Sequence, residues 1–170
     1  ATTEIYTLPY TTLFRSGQKD TKQILINGLK ELEYRGYDSA GIAVLDNGVF
    51  SNYKAVGKLI NLEEKTKDFI TSNFAAGIGH TRWATHGKPT ELNAHPHVGE
   101  NSYVVHNGII ENYAEIKKNL LSDGVNFLSQ TDTEVIVHQF EKNLKFNQNP
   151  FEAFAKTITE LDGADRKSVV

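Results

Sequence analysis

Cysteine is absent from this chain of 170 residues. That excludes disulfide staples and thiolate metal sites. A surplus of one charge is also missing: 18 Lys and Arg against 21 Asp and Glu leave a net charge of −3. Nucleic acid as a partner would call for a basic surface, and nothing here supplies one. No apolar run approaches the roughly 18–20 residues that span a bilayer, so no membrane partner is expected. No basic start followed by an apolar core opens the chain, so no secretory signal is expected either. Repeats and low-complexity linkers are lacking. The remaining composition, 39% hydrophobic, suits one globular domain with a real core. A cytoplasmic protein is the expectation.

Against that background, residues 79–112 are dense in chemistry. Residues 79–97 read Gly-His-Thr-Arg-Trp-Ala-Thr-His-Gly-Lys-Pro-Thr-Glu-Leu-Asn-Ala-His-Pro-His, and residues 106–112 read His-Asn-Gly-Ile-Ile-Glu-Asn. The stretch holds the only tryptophan and most of the histidines. Few cores need such groups so close together.

Periodicity places these groups on elements. From Thr21, Ile24, Leu25, Gly28, Leu29 and Leu32 share one helical face. A strand over 42–45, an Asp-Asn-Gly turn at 46–48 and a returning strand over 49–54 make a hairpin. Asn61 with Glu64 predicts a capped helix running to about Ser72. The small apolar run 75–79 predicts a buried strand that delivers His80 to His86, and a strand over 102–106 delivers Asn107 and Gly108. Asn112 with Glu115 predicts a helix carrying Ile116, Leu120 and Leu121, stopped at Asp123-Gly124. Thr131 with Glu134 predicts another capping box, opening a helix with Val135, Ile136 and Phe140. Pro150 starts a last helix with Phe151, Phe154, Ile158 and Leu161 on one face. Residues 1–16 show no sustained period, with Pro9 interrupting the one strand-like run, and residues 165–170 end without a pattern where another strand is due.

Several side chains carry two readings. Arg82, directly after a strand, can grip a carboxylate through two parallel hydrogen bonds, or stack structurally with Trp83. Trp83 can close over a small polar ligand, and Thr85, His86 and Gly87 add a hydroxyl, an imidazole and a flexible joint. Asn107 and Gly108 can aim a side-chain amide and a backbone N–H at an oxygen that becomes negative, or form a plain type I′ turn. Asp132 suits the first turn of a helix, where the dipole stabilises it by about 0.3–1 kcal/mol, or binds an ammonium group. Arg35 and Asp38 form a structural pair or brace a loop. His95-Pro-His97 with His106 hints at zinc, but without cysteine and with Pro96 in the run a loop packed through imidazole hydrogen bonds is expected instead. No metal and no cofactor is expected.

Five ordered motifs carry a resemblance: residues 32–41 (Leu-Glu-Tyr-Arg-Gly-Tyr-Asp-Ser-Ala-Gly), 80–87, 93–97, 106–112 and 131–135 (Thr-Asp-Thr-Glu-Val). Together, over 17–164, they resemble the class II glutamine amidotransferase domain of the glucosamine-6-phosphate synthases, or glutamine–fructose-6-phosphate aminotransferases (isomerizing). Phosphoribosyl-pyrophosphate amidotransferases share the domain but resemble this chain less around Arg82 and Arg35. The resemblance implies an α+β fold, the four-layer αββα sandwich of the N-terminal-nucleophile hydrolases, here truncated at both ends. It implies that Arg82 binds the glutamine α-carboxylate with Thr85 and His86 nearby, that Asp132 binds the α-ammonium, and that Asn107 and Gly108 form the oxyanion hole under a closing Trp83 loop. It implies a further sugar-isomerase domain that receives the ammonia and converts fructose 6-phosphate to glucosamine 6-phosphate, and a homo-oligomeric full-length enzyme.

One departure stands out. The family opens its mature chain with a Cys-Gly-Ile-Val-Gly type of segment, whose thiol attacks glutamine and whose α-amine, titrating near pH ~8, serves as base. Counting back from Gly17 puts that thiol on Tyr10, which is internal. Thr11, Thr12 and Ser16 would need cleavage to act as N-terminal nucleophiles. The expectation is therefore a non-native segment over 1–16, a non-native tail over 165–170, a weakened core, and an inactive glutaminase fragment. The alternatives are a non-catalytic amino-acid-binding or regulatory domain and, in a third class, a histidine-based metal hydrolase.

Overall fold

The computed structural model describes residues 6–8, 12–17, 20–72, 74–84, 87–163 and 165–169. In chain order the elements are β1 (Tyr6–Leu8), β2 (Thr12–Gly17), α1 (Thr21–Glu31), a 3-10 turn (Glu33–Arg35), β3 (Ser39–Asp46), β4 (Val49–Val56), α2 (Leu59–Thr66), β5 (Ala75–Arg82), β6 (His97–Val98), β7 (Tyr103–Gly108), α3 (Tyr113–Ser122), α4 (Glu134–Phe146), α5 (Pro150–Glu160) and β8 (Asp165–Val169). Two antiparallel sheets result, ordered β1-β2-β5-β3-β4 and β6-β7-β8.

Strand alternation sorts the core into three contacts between four layers. On β3, Ala40, Ile42 and Val44 point to the helices and pack with Leu25, Ile26 and Leu29 of α1 and Leu59 and Leu62 of α2. Ala43 points the other way and meets Ile78 of β5 and Tyr103 and Val105 of β7 between the sheets. Val104, on the far face of β7, packs with Ile116 and Leu120 of α3 and Val135, Ile136 and Val137 of α4. The order is helix, sheet, sheet, helix, the αββα sandwich anticipated above. Among the described residues no helix is long and apolar enough to cross a membrane.

Small residues let the layers close. An ideal Cβ on Gly77 would lie 2.8 Å from Leu25 Cδ1, so α1 lies directly over β5 there. A Cβ on Gly41 would run into the main-chain carbonyl of His95, the loop that carries two of the site histidines. Asp20 caps α1 by accepting from the Gln23 N–H at 3.1 Å, and Thr21 ties α1 to β5 by donating to the Ala75 carbonyl at 3.0 Å.

Several element boundaries differ from expectation. The helix assigned to 61–72 is α2, which begins at Leu59 and ends at Thr66. Asn61 is inside it, and its side-chain amide donates to the Val56 carbonyl at 2.8 Å rather than capping. Burying both Leu59 and Leu62 against β3 set that start. The Thr131–Glu134 capping box is also absent. Helix α4 starts at Glu134, whose carboxylate accepts from the Leu128 and Ser129 N–H groups at 2.8 and 2.7 Å. Asn112 does not cap α3 through its side chain; it bridges to the end of α5, accepting from Asp162 N–H and donating to the Glu160 carbonyl. Leu161 is buried as expected, but Phe151 is exposed, and Ala153 and Thr157 are buried. Asn107-Gly108 is no hairpin turn, for both lie in β7.

Both ends of the chain contribute strands despite their weak pattern. Thr12–Gly17 runs antiparallel along β5, from Thr12 opposite His80 to Gly17 opposite Ala75. Asp165–Val169 runs along β7, from Gly108 opposite Asp165 to Val104 opposite Val169. Ladder pairing uses main-chain groups, so it demands little of the side-chain pattern.

The two glycines give a contrast. Gly41→Ala forces a methyl into the fixed His95 carbonyl and should cost about 1–3 kcal/mol or more. Gly79→Ala meets only ordinary contacts, 3.5 Å from Ile42 Cγ2 and Leu29 Cδ1, and should change stability by less than about 1 kcal/mol. Urea unfolding of the two variants measures the difference, and equal midpoints would refute the close approach.

Candidate active site

The space between the sheets is apolar along most of its length and turns polar at one end. The reason lies in period two. Ile78, His80 and Arg82 are alternate residues of β5; Tyr103, Val105 and Asn107 are alternate residues of β7. Ile78, Tyr103 and Val105 fill the middle, so the next pairs along the two strands bring His80 and Asn107 together. Their side chains meet at 3.0 Å, Nε2 of His80 to Oδ1 of Asn107.

Three more histidines surround this bond. The rings of His80 and His95 stack with centroids 4.3 Å apart, and His97 meets His95 edge-on at 4.7 Å. The His106 main-chain N–H donates to Nδ1 of His95 at 3.3 Å. Nδ1 of His106 pairs with the Thr133 hydroxyl at 3.2 Å, and Nε2 of His97 with the Thr131 hydroxyl at 2.9 Å. Imidazole hydrogen bonds thus fasten the 93–97 loop and β7 to the segment before α4. Burial is the main force on their protonation: it pushes His80 down to about 4 and His97 down to about 3, and holds His95 well below the ordinary value. Neighbouring positive charge adds to this, from Arg82 on all three and from Lys54 on His97.

Arg82 ends β5 and is buried, as is Asp132. Burial lowers the guanidinium pKa, while Asp38 and Asp132 pull it back up. Asp38 Oδ1 lies 3.9 Å from Arg82 Nη1, and the Gly87 carbonyl accepts from Nη2 at 3.4 Å. Asp132 sits two residues before α4 rather than in its first turn, and its carboxylate accepts from the Ile110 N–H at 2.8 Å, just past β7. A cation and an anion therefore occupy one buried neighbourhood, each held by a different strand end. Gly108 closes β7 with φ of 152°, a conformation that favours glycine, and is exposed, while Asn107 is half-buried. Trp83 is 67% exposed and leans on Gly36, where a Cβ would lie 2.8 Å from its ring.

Of the residues singled out in the sequence, Arg82, Asp132 and Asn107 gather at this end, with Gly108 and Trp83 at its rim. Thr85, His86 and Tyr10 lie outside the described residues. Asp38 and His80 were not assigned to the site by sequence reasoning. Asp38 faces Arg82 and accepts from the Ala84 N–H and the Ser39 hydroxyl, whereas Arg35 lies over Tyr34. Two-residue spacing from Arg82 was the signal for His80.

Residues 63–146 match the family model described as glutamine amidotransferase domain. In fold, the chain is similar to the glutamine phosphoribosylpyrophosphate amidotransferase of B. subtilis complexed with ADP and GMP, at TM-score 0.79 and 23% identity over 94% of this chain and 35% of that one. It is similar also to the allosteric regulatory enzyme of purine biosynthesis, at TM-score 0.81 and 24% identity with the same coverage. Fold and match together make the chain similar to glutamine amidotransferase domains, by the family model over residues 63–146 and by the sandwich fold.

Within that class, the resemblance read from the five motifs holds. The chain is 64% identical over 148 residues to the glutamine–fructose-6-phosphate aminotransferase (isomerizing) of Campylobacter jejuni, covering 87% of this chain and 25% of that protein. It is 57% identical over 150 residues to the Helicobacter pylori enzyme of the same name, with the same coverage. The chain spans about a quarter of the length of the curated relatives it matches.

The buried histidines make stability depend on pH. The folded pKa values of His80, His95 and His97 lie below the unfolded value of ~6.5, so the unfolded chain takes up protons first. Stability is full above pH ~6.5 and falls as pH drops toward about 4, where folded His80 itself titrates. Each such group contributes up to about 1.4 kcal/mol per pH unit in that window. Thermal unfolding between pH 4 and 8 should show Tm falling below pH ~6.5; a level Tm from pH 7 to 5 would contradict neutral burial.

Proposed function

We propose that this end of the sandwich binds glutamine. Arg82 takes the α-carboxylate, Asp132 the α-ammonium, and Asn107 with the Gly108 N–H receives the side-chain carbonyl oxygen as it becomes negative. Trp83 belongs to a loop that closes over the ligand, and Thr85 and His86 are assigned to the neighbourhood of its carboxylate. The observation that carries this reading is buried Arg82 within electrostatic reach of buried Asp132, two residues along the strand from the His80 that meets Asn107. An amino acid presents the same two opposite charges on one carbon, so a buried cation and anion match its backbone end while a third polar group meets its side chain. Supporting it, the relatives are named for glutamine and fructose 6-phosphate.

In the full-length, homo-oligomeric, cytoplasmic enzyme, the ammonia released would pass to a sugar-isomerase domain that makes glucosamine 6-phosphate from fructose 6-phosphate. This chain would hold glutamine without cleaving it, because the position assigned to the thiol carries Tyr10. Residues 1–16 and 165–170 are read as stand-ins for native segments, a reading supported by the family resemblance, which extends over 17–164. Binding without chemistry also fits an amino-acid-binding or regulatory domain, which would use Arg82 and Asp132 in the same way.

Calorimetry with glutamine tests the pocket. Arg82→Lys loses the planar two-bond grip and Asp132→Asn the charge, and each should weaken binding about tenfold or more. Unchanged affinity in both would remove the proposal. Turnover of glutamine by the unaltered chain would overturn the inactivity. Removing residues 1–9 and opening the chain at Tyr10→Cys, with the family segment restored over 10–16, should bring turnover.

A further inference from the structure

A carboxamide is two-faced. Its oxygen only accepts hydrogen bonds and its nitrogen only donates them, and a half-turn about the last side-chain bond exchanges the two. Asn107 serves an oxyanion only with the nitrogen presented; with the oxygen presented it repels the charge it is meant to stabilise. Something must choose between the two faces before the substrate arrives.

We propose that His80 makes this choice as a positioning residue: its Nε2–H holds the Asn107 oxygen, so that the Asn107 Nδ2 donors are turned to the reacting carbonyl. The inference rests on the reading of Asn107 as an oxyanion donor. The two groups are 3.0 Å apart. Oδ1 cannot donate, so the proton of that bond belongs to Nε2, and a neutral imidazole with Nε2–H has an unprotonated Nδ1. Burial keeps the ring neutral, with its pKa down at about 4, so one tautomer persists through the physiological range.

The ring is also fixed in place. His80 lies within β5 and is paired on both sides, opposite Thr12 of β2 and Gly41 of β3. Its face stacks on His95 at 4.3 Å, and His95 is itself tethered by the His106 N–H. Gly41, directly across from His80, admits the His95 carbonyl where any side chain would block it. A clamp built from three strands and a loop thus ends on one side-chain oxygen. Such preorganisation is what an oxyanion site needs, since donors already aimed pay no reorganisation cost during reaction.

The first test uses the chain as it is. Labelled with 15N-histidine, His80 should show the neutral Nε2–H tautomer, with an unprotonated Nδ1, from pH 5 to 8. An Nδ1–H tautomer would overturn the proposal by itself, because it leaves no Nε2–H to hold the Asn107 oxygen. The second test uses the variant opened at Tyr10→Cys. There His80→Leu should lower kcat about 10- to 100-fold with KM within about twofold, less than the roughly 10²–10³ expected for losing the donor itself. His80→Gln, which keeps an N–H donor, should recover most of kcat. Full kcat in His80→Leu, or a loss confined to KM, would sink the positioning role. Full kcat in Asn107→Ala would instead sink the oxyanion reading beneath it, and the tautomer spectrum tells the two failures apart.

Discussion

The structure depends on β5 and β7 facing each other across the space between the sheets with matched alternation. Ile78 against Tyr103 and Val105 makes a dry centre, and that centre fixes where the next residues on each strand must fall. A slip of one residue in either strand would turn His80, Arg82 or Asn107 to the helix side and replace them with Gly79, Thr81 or His106. The apolar contact therefore holds the polar one in register. Packing and chemistry are not separate features here; they are consecutive positions on the same strand faces.

The polar end is expensive to build and is built from partners. Buried imidazoles exchange hydrogen bonds with hydroxyls, a carboxamide and a main-chain N–H group, and burial keeps those of His80, His95 and His97 neutral. Buried Arg82 keeps carboxylates near it, and Asp132 takes a main-chain donor. Glu134 repeats the logic at the start of α4: burial alone would raise its carboxyl, yet His138, Leu128 and Ser129 together hold it down at about 2. Its role is to anchor the 128–129 turn, and through it the segment that carries Asp132. The ligand-facing groups are thus held by side chains that have no need to touch a ligand.

Much of this was legible in the chain. Strands over 42–45, 75–79 and 102–106, the turn at Asn47-Gly48 and the Pro150 helix start follow from alternation, glycine and proline chemistry, which act over a few residues. The relatives bear out the motif resemblance. The capping boxes failed because Asn61 and Glu134 took partners a few residues back, at Val56 and at Leu128 with Ser129, while Asn112 took partners far along the chain, at Glu160 and Asp162. A local pattern cannot weigh a contact fifty residues away. The strands β2 and β8 escaped for a different reason: main-chain ladders recruit a segment whose side chains give no signal.

The residue order by itself determined which chemical groups are available and that they cluster between 79 and 132: the Arg82 guanidinium, the Asn107 amide, the Asp132 carboxylate and the imidazoles. It also determined, through alternation, which of them share a strand face. Only the tertiary structure decided that two strand faces from different sheets meet, and so that His80 reaches Asn107, that Asp38 turns to Arg82, and that Asp132 sits before its helix with its carboxylate on Ile110. The physical reason is range: side-chain identity and period are properties of neighbours in the chain, whereas the pairing of faces is set by the burial of three separate apolar layers at once.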